Sequence, residues 1–124
     1  MREPRASSLI GCERGATATE FAVLFPALVG TLLGIIWASL LAYSAASLHY
    51  AVEGAARCYS VGTQCGSASA AQTYAQARYY GANVPSFTAS TAACGHQVSG
   101  TVNVAFNLTL GNWNVPLSAT SCFP

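Results

Sequence analysis

No charged residue stands between Glu20 and Glu53, and the segment Phe21–Tyr43 within that gap is almost wholly apolar. It exceeds the roughly 20 apolar residues that a helix needs to cross a bilayer. A soluble core could hide such a helix only if enough chain remained to wrap it. Here 124 residues in total leave too little, so the run predicts one membrane-spanning helix over about 21–43. Charge is scarce everywhere: 7% of residues are charged against 52% hydrophobic, with a formal net charge of +1. That is far below the roughly 25% usual in soluble domains. It gives no basic surface for phosphodiesters, which argues against nucleic acid as a partner, and its apolar content argues against disorder.

The charges that exist are placed unevenly. Arg2, Glu3, Arg5, Glu13 and Arg14 lie ahead of the apolar run, and only Glu53, Arg57 and Arg78 follow it. Under the positive-inside rule the head faces the cytoplasm and the rest lies outside it. Residues 44–57 are rich in Ala, and Glu53 and Arg57 form an i,i+4 pair in the favourable order, so the helix is expected to run from 16 to 57. Pro26 falls inside and is expected to kink it. Small residues recur every four positions at Gly30, Gly34, Ala38 and Ala42, continuing to Ala46. That spacing lets membrane helices approach closely and suggests lateral helix packing.

After Arg57 the pattern changes. Residues 67–80 read as a second short helix, capped by Ser67 or Ser69 and stopped by Gly81. From Val98 apolar residues alternate with polar ones, and the alternation resumes at Trp113. Two strands joined by a Gly111–Asn112 turn are expected, with Pro116 marking the second as an edge and 86–91 offering a third. The fold class is therefore α+β: a long N-terminal helix continuing into a small ectodomain with a second helix and a two- to three-stranded antiparallel sheet.

Cys12 lies in the head, whereas Cys58, Cys65, Cys94 and Cys122 lie beyond the span. Four cysteines in so small an outer domain read as two disulfides, a staple that such a core needs. Of the three pairings, Cys58–Cys65 is favoured because both flank one short turn, leaving Cys94–Cys122 to brace the hairpin. No C-x-x-C occurs, and His49 and His96 are isolated, so no metal or cofactor site is expected. Neither a nucleophile elbow nor a phosphate loop is present, and an enzyme acting on a small-molecule substrate is not expected. Tyr79, Tyr80 and Trp113 are candidate exposed contact residues.

At the edge of the span stands Arg14-Gly-Ala-Thr-Ala-Thr-Glu20-Phe21. A carboxylate entering a membrane helix is costly and generally serves a purpose; it also suits the positive end of a helix dipole on the first turn. This segment resembles the class III signal of type IV pilin-like proteins. With residues 15–26, the segment Ala51–Cys58, the Cys58/Cys65 pair, Cys94-Gly95 and Cys122, the chain resembles the TadE-like pseudopilins of tight-adherence (Flp) pilus systems. The resemblance implies a leader over 1–15, cleavage between Gly15 and Ala16 by a membrane prepilin peptidase, a helix over 16–57 and an ectodomain over 58–124. It also implies that Glu20 pairs with a neighbouring subunit's new amine, offsetting the cost of burying a carboxylate. The implied partners are the peptidase, other pilins and pseudopilins, the inner-membrane assembly platform and membrane lipid. The added ectodomain fits a minor or accessory pilin better than the bare-helix major subunit. The implied location is the bacterial inner membrane, N-terminus cytoplasmic and C-terminus periplasmic. Two alternatives remain: an uncleaved signal-anchored protein with a small disulfide-bonded outer binding domain, and a secreted protein cut after Ala46.

Overall fold

A computed structural model describes residues 14–108 and 111–124. Its elements run α1 (Arg14–Val61), α2 (Ala68–Arg78), β1 (Ser86–Ala92), β2 (Gly95–Leu108) and β3 (Gly111–Phe123). The chain divides into two units at Trp37–Ala38, within α1. The residues ahead of Arg14, including most of the expected leader and Cys12, lie outside the described part.

In the first unit α1 is a helix of exposed apolar side chains. Pro26 sits inside it, the Thr31 hydroxyl donates back to the Leu28 carbonyl at 2.8 Å, and the Phe21 and Phe25 rings lie 5.5 Å apart. The helix is long and apolar enough to cross a membrane, and its most apolar stretch has no buried residue.

The second unit holds a core. Along α1, Ser44, Leu48, Ala51, Val52, Ala55 and Ala56 are buried, a spacing that keeps one helix face turned inward. All but Ser44 pack with Ala75 of α2 and with Phe87, Val98, Val102 and Ala119 of the sheet. Alanines at four of these helical and α2 positions allow close approach without side-chain entropy cost. The helix ends at Val61 rather than at Arg57 because Gly62 takes a left-handed conformation, φ +72°. Its N–H returns to the Cys58 carbonyl at 3.1 Å, closing the last turn.

Helix α2 begins where the sequence suggests: the Ser67 hydroxyl caps it by accepting from the Ala70 N–H at 3.2 Å. It stops at Arg78, two residues short of the expected end. Tyr79 is extended because distant partners take over: the Tyr80 N–H donates to the Ser47 hydroxyl and the Ala82 N–H to the Ser44 hydroxyl, while the Tyr79 hydroxyl donates to the Ala82 carbonyl at 2.8 Å and the ring packs on the core. Tyr79 is thus half-buried, not one of the exposed contact residues. Burial pushes its phenol pKa up, a hydrogen bond with Ser44 offsetting part of the effect.

The sheet is antiparallel with order β1-β2-β3. Val98, Val102, Val104 and Phe106 are buried on one face, while Thr101, Asn103 and Asn107 are exposed on the other. The expected Gly111–Asn112 turn is not where the strands join. Both residues belong to β3, opposite Leu108 and Asn107, so residues 109 and 110, including Leu110 of the predicted apolar face, form the connection and lie outside the description. A register moved by four residues would keep every side chain on its face. It would also carry Cys122 out of reach of Cys94, whose Cα it meets at 6.2 Å, near the upper limit for a disulfide. Pro116 is on an edge strand as expected, opposite Asn103. The Asn103 carbonyl accepts from the Asn83 amide on the far side of β2. That places Asn103 and Pro116 at a position where β2 and β3 exchange no ladder bond, so the missing proline N–H costs nothing.

Candidate functional site

The sequence points first to the start of α1. Gly15 and Ala16 lie in its opening turn. Glu20 follows about one turn after Ala16; it is exposed and makes no ion pair with any described residue. Around it Thr19, Val23 and Leu24 form a shallow surface depression with Glu20. Phe21 next to it is 64% exposed. Further along the helix, Gly30, Gly34, Ala38 and Ala42 are all exposed. A Cβ added to Gly30 or Gly34 would meet no atom within 4 Å. The stripe is a strip of bare backbone that an approaching helix can reach closely.

The second unit holds Cys58, Cys65, Cys94 and Cys122 and the three charged residues that follow the apolar run. Cys58, in the last turn of α1, is bonded to Cys65 ahead of α2 with Cα atoms 5.5 Å apart. Cys94, in the β1–β2 turn, is bonded to Cys122 near the end of β3. Gly95 follows that turn at φ +115°, and an added Cβ would lie 2.2 Å from the Phe123 carbonyl oxygen; only glycine fits. Glu53 pairs with Arg57 rather than with His49, which is exposed. The Arg57 guanidinium also lies 4.9 Å from the Phe123 ring centroid. His96 packs edge-on against Tyr59 at 4.2 Å, and its Nδ1 is buried without a hydrogen-bond partner. Among the described residues no group of three or more His, Cys, Asp or Glu is gathered that could hold a metal ion.

A further feature joins residues far apart in the chain. A cavity of about 490 Å³ between α1 and α2 is lined by Tyr50, Glu53, Arg57, Tyr74 and Arg78 among others, so every charged side chain of the second unit opens onto it. Arg78 lies over the Tyr74 ring, 4.4 Å from its centroid, and its Nη1 donates to the Tyr50 hydroxyl at 3.4 Å. The i,i+4 spacing of Tyr74 and Arg78 was visible in the sequence; the approach of Tyr50, 28 positions away, was not.

These features define a class: a protein with one N-terminal helix fit to cross a membrane and a small disulfide-stapled α+β domain. Within that class, residues 15–57 match the TadE-like protein family, in agreement with the resemblance carried by the Gly15–Glu20 motif. The match spans residues 15–57, 43 of the 124 residues, and covers the apolar part of α1. No curated protein and no solved structure matches the chain.

Proposed function

We propose that this chain is an accessory TadE-like pseudopilin whose helix is released from its leader and then packs against other pilin helices during assembly of a tight-adherence pilus. The observation that carries this reading is the extent of the family match: it begins at Gly15, the residue before the expected cut, and ends at Arg57. It therefore covers the cut, Glu20 and the entire apolar run. A membrane prepilin peptidase acting from the cytoplasmic side cleaves between Gly15 and Ala16, leaving 109 of the 124 residues. Because that bond lies in the opening turn of α1, the turn has to open before a protease can hold it. Glycine there brings wide backbone freedom, which favours opening. The freed amine of Ala16 then meets the Glu20 carboxylate of a neighbouring subunit, and the stripe Gly30, Gly34, Ala38 and Ala42 sets how closely the helices lie. The ectodomain stays on the periplasmic side, and its role is structural rather than catalytic.

Intact mass of the membrane-extracted protein tests the cut. The expected chain starts at Ala16; a chain still carrying residues 1–15 in cells that contain the peptidase refutes the proposal and leaves a signal-anchored protein. A Glu20→Ala variant is expected to be cleaved yet to assemble poorly, read as pilus protein sheared from cells. Normal pilus yield with that variant removes the role assigned to Glu20.

A further inference from the structure

Two cavities adjoin at Arg78. The first, of about 490 Å³, reaches Glu53, Gly54 and Arg57 on α1. The second, of about 410 Å³, reaches Tyr80 beyond the end of α2. Tyr50, Tyr74 and Arg78 line both, so together they form one groove between α1 and α2, wholly inside the second unit.

Arg78 is fixed there before any ligand arrives. The Tyr74 ring lies under its guanidinium and the Tyr50 hydroxyl accepts from Nη1, so much of the side chain's freedom is already spent while its other N–H donors remain. Arg78 pairs with no carboxylate of the described residues. Glu53 is the only acidic residue of the second unit, and Arg57 holds it. One acid therefore stands against two arginines, and the surplus positive charge faces the groove.

Gly54 supplies a second observation. It lies inside α1, where glycine weakens a helix relative to alanine, yet packing does not demand it. An added Cβ would come no nearer than 3.8 Å to Tyr74 or Arg78, an ordinary contact. What the missing side chain does is leave bare backbone beside the guanidinium. Glycine serves this way where a ligand has to approach a backbone closely.

We infer that this groove binds an extended acidic segment of a partner protein, with a carboxylate on the Arg78 fork and the segment lying against Tyr50, Tyr74 and Tyr80. Charge sets the sign, since the planar guanidinium matches the two oxygens of a carboxylate. The occupant is a different protein rather than a second copy, because the second unit of another copy brings no spare carboxylate. Protein is favoured over polysaccharide because the groove is built from Tyr and Arg, the side chains that concentrate binding energy at protein interfaces, with Tyr50 59% and Tyr80 70% exposed. The inference concerns the second unit alone and does not depend on cleavage at Gly15.

Fluorescence anisotropy with the full-length protein in neutral detergent tests the groove. The probes are a labelled peptide of alternating Glu and Ser and its counterpart with Gln in place of Glu. The Glu peptide is expected to bind more tightly. Arg78→Gln is expected to weaken it about fivefold, the upper range for an ion pair open to solvent, with the unfolding midpoint of wild type. Arg78→Lys, which keeps the charge but not the fork, is expected to recover only part of the loss. Gly54→Leu, a good helix former that fills the space beside the guanidinium, is expected to weaken binding by at least about fivefold without lowering the midpoint. Equal affinity for the two peptides overturns the inference, as does Glu-peptide binding that Arg78→Gln leaves unchanged. Arg78-dependent binding of an oligogalacturonate more tightly than the Glu peptide also overturns it, in favour of an acidic polysaccharide.

Discussion

Gly100 occupies the middle of β2, opposite Phe87 on β1 and Ala119 on β3. A glycine inside a strand lacks a side chain to pack and costs conformational entropy, so alanine there normally stabilises by about 0.5–1 kcal/mol. Here the backbone space is taken. A Cβ at Gly100 would stand 2.6 Å from Phe87 Cε1, 2.8 Å from Phe87 Cδ1 and 3.0 Å from Leu48 Cδ1. Neither neighbour can swing into solvent, because Phe87 is 6% exposed and Leu48 1%. The ring covers the bare strand from one side while α1 closes it from the other. Gly100→Ala is therefore expected to destabilise the second unit by about 2 kcal/mol, the usual cost of overpacking a filled core. For a unit of this size that lowers the unfolding midpoint by about 10 °C. Thermal unfolding of the full-length protein in detergent, followed by near-ultraviolet circular dichroism with disulfides intact, measures it. In a Phe87→Leu background the same change is expected to cost less than about 1 kcal/mol, since the two sites share one contact. A Gly100→Ala protein as stable as wild type, or equal costs in both backgrounds, would refute the steric reasoning.

Three further outcomes follow from the same structure. Replacing both Cys94 and Cys122 with Ala is expected to cost about 3.5 kcal/mol, against about 2.5 kcal/mol for the Cys58/Cys65 pair, on the chain-entropy scale, because the closed loops span 28 and 7 positions. Chemical denaturation of the two double variants checks the ranking. Removing the α2 cap by Ser67→Ala is expected to lower stability by about 1 kcal/mol, read as a shift in denaturation midpoint. Because burial raises the Tyr79 pKa in the folded state, its contribution is complete below the unfolded phenol value of about 10 and is lost as pH rises through the folded value. The unfolding midpoint of wild type is thus expected to fall more steeply above that pH than that of Tyr79→Phe; parallel slopes would contradict it.

Much of this arrangement could be read from the residues. The uncharged run after Glu20 dictates a helix, and the alternation from Val98 and again from Trp113 dictates strands with one buried face. The Ser67 cap was visible because a hydroxyl ahead of an alanine-rich segment satisfies free N–H groups. What escaped depended on distant partners. A four-residue slip of β2 against β3 preserves the alternation, so only the reach of Cys94 to Cys122 distinguishes the registers. The early end of α2 follows from hydrogen bonds to Ser44 and Ser47, more than thirty positions away. At the candidate sites, Gly15 and Glu20 stand out by motif. The Tyr50–Arg78 contact joins two helices and leaves no local trace.

The bond between Cys94 and Cys122 bears on how the second unit responds to a pull on its chain. A load entering through α1 and leaving beyond Cys122 crosses the sulfur bridge and bypasses the intervening hairpin, a span of 28 positions. About 100 Å of extendable contour is thereby withheld, and β2 and β3 cannot be unzipped from each other's ends. Under such a pull the segment between Cys65 and Cys94, which holds α2 and β1, is free to extend, while the pair β2–β3 behaves as an inextensible link.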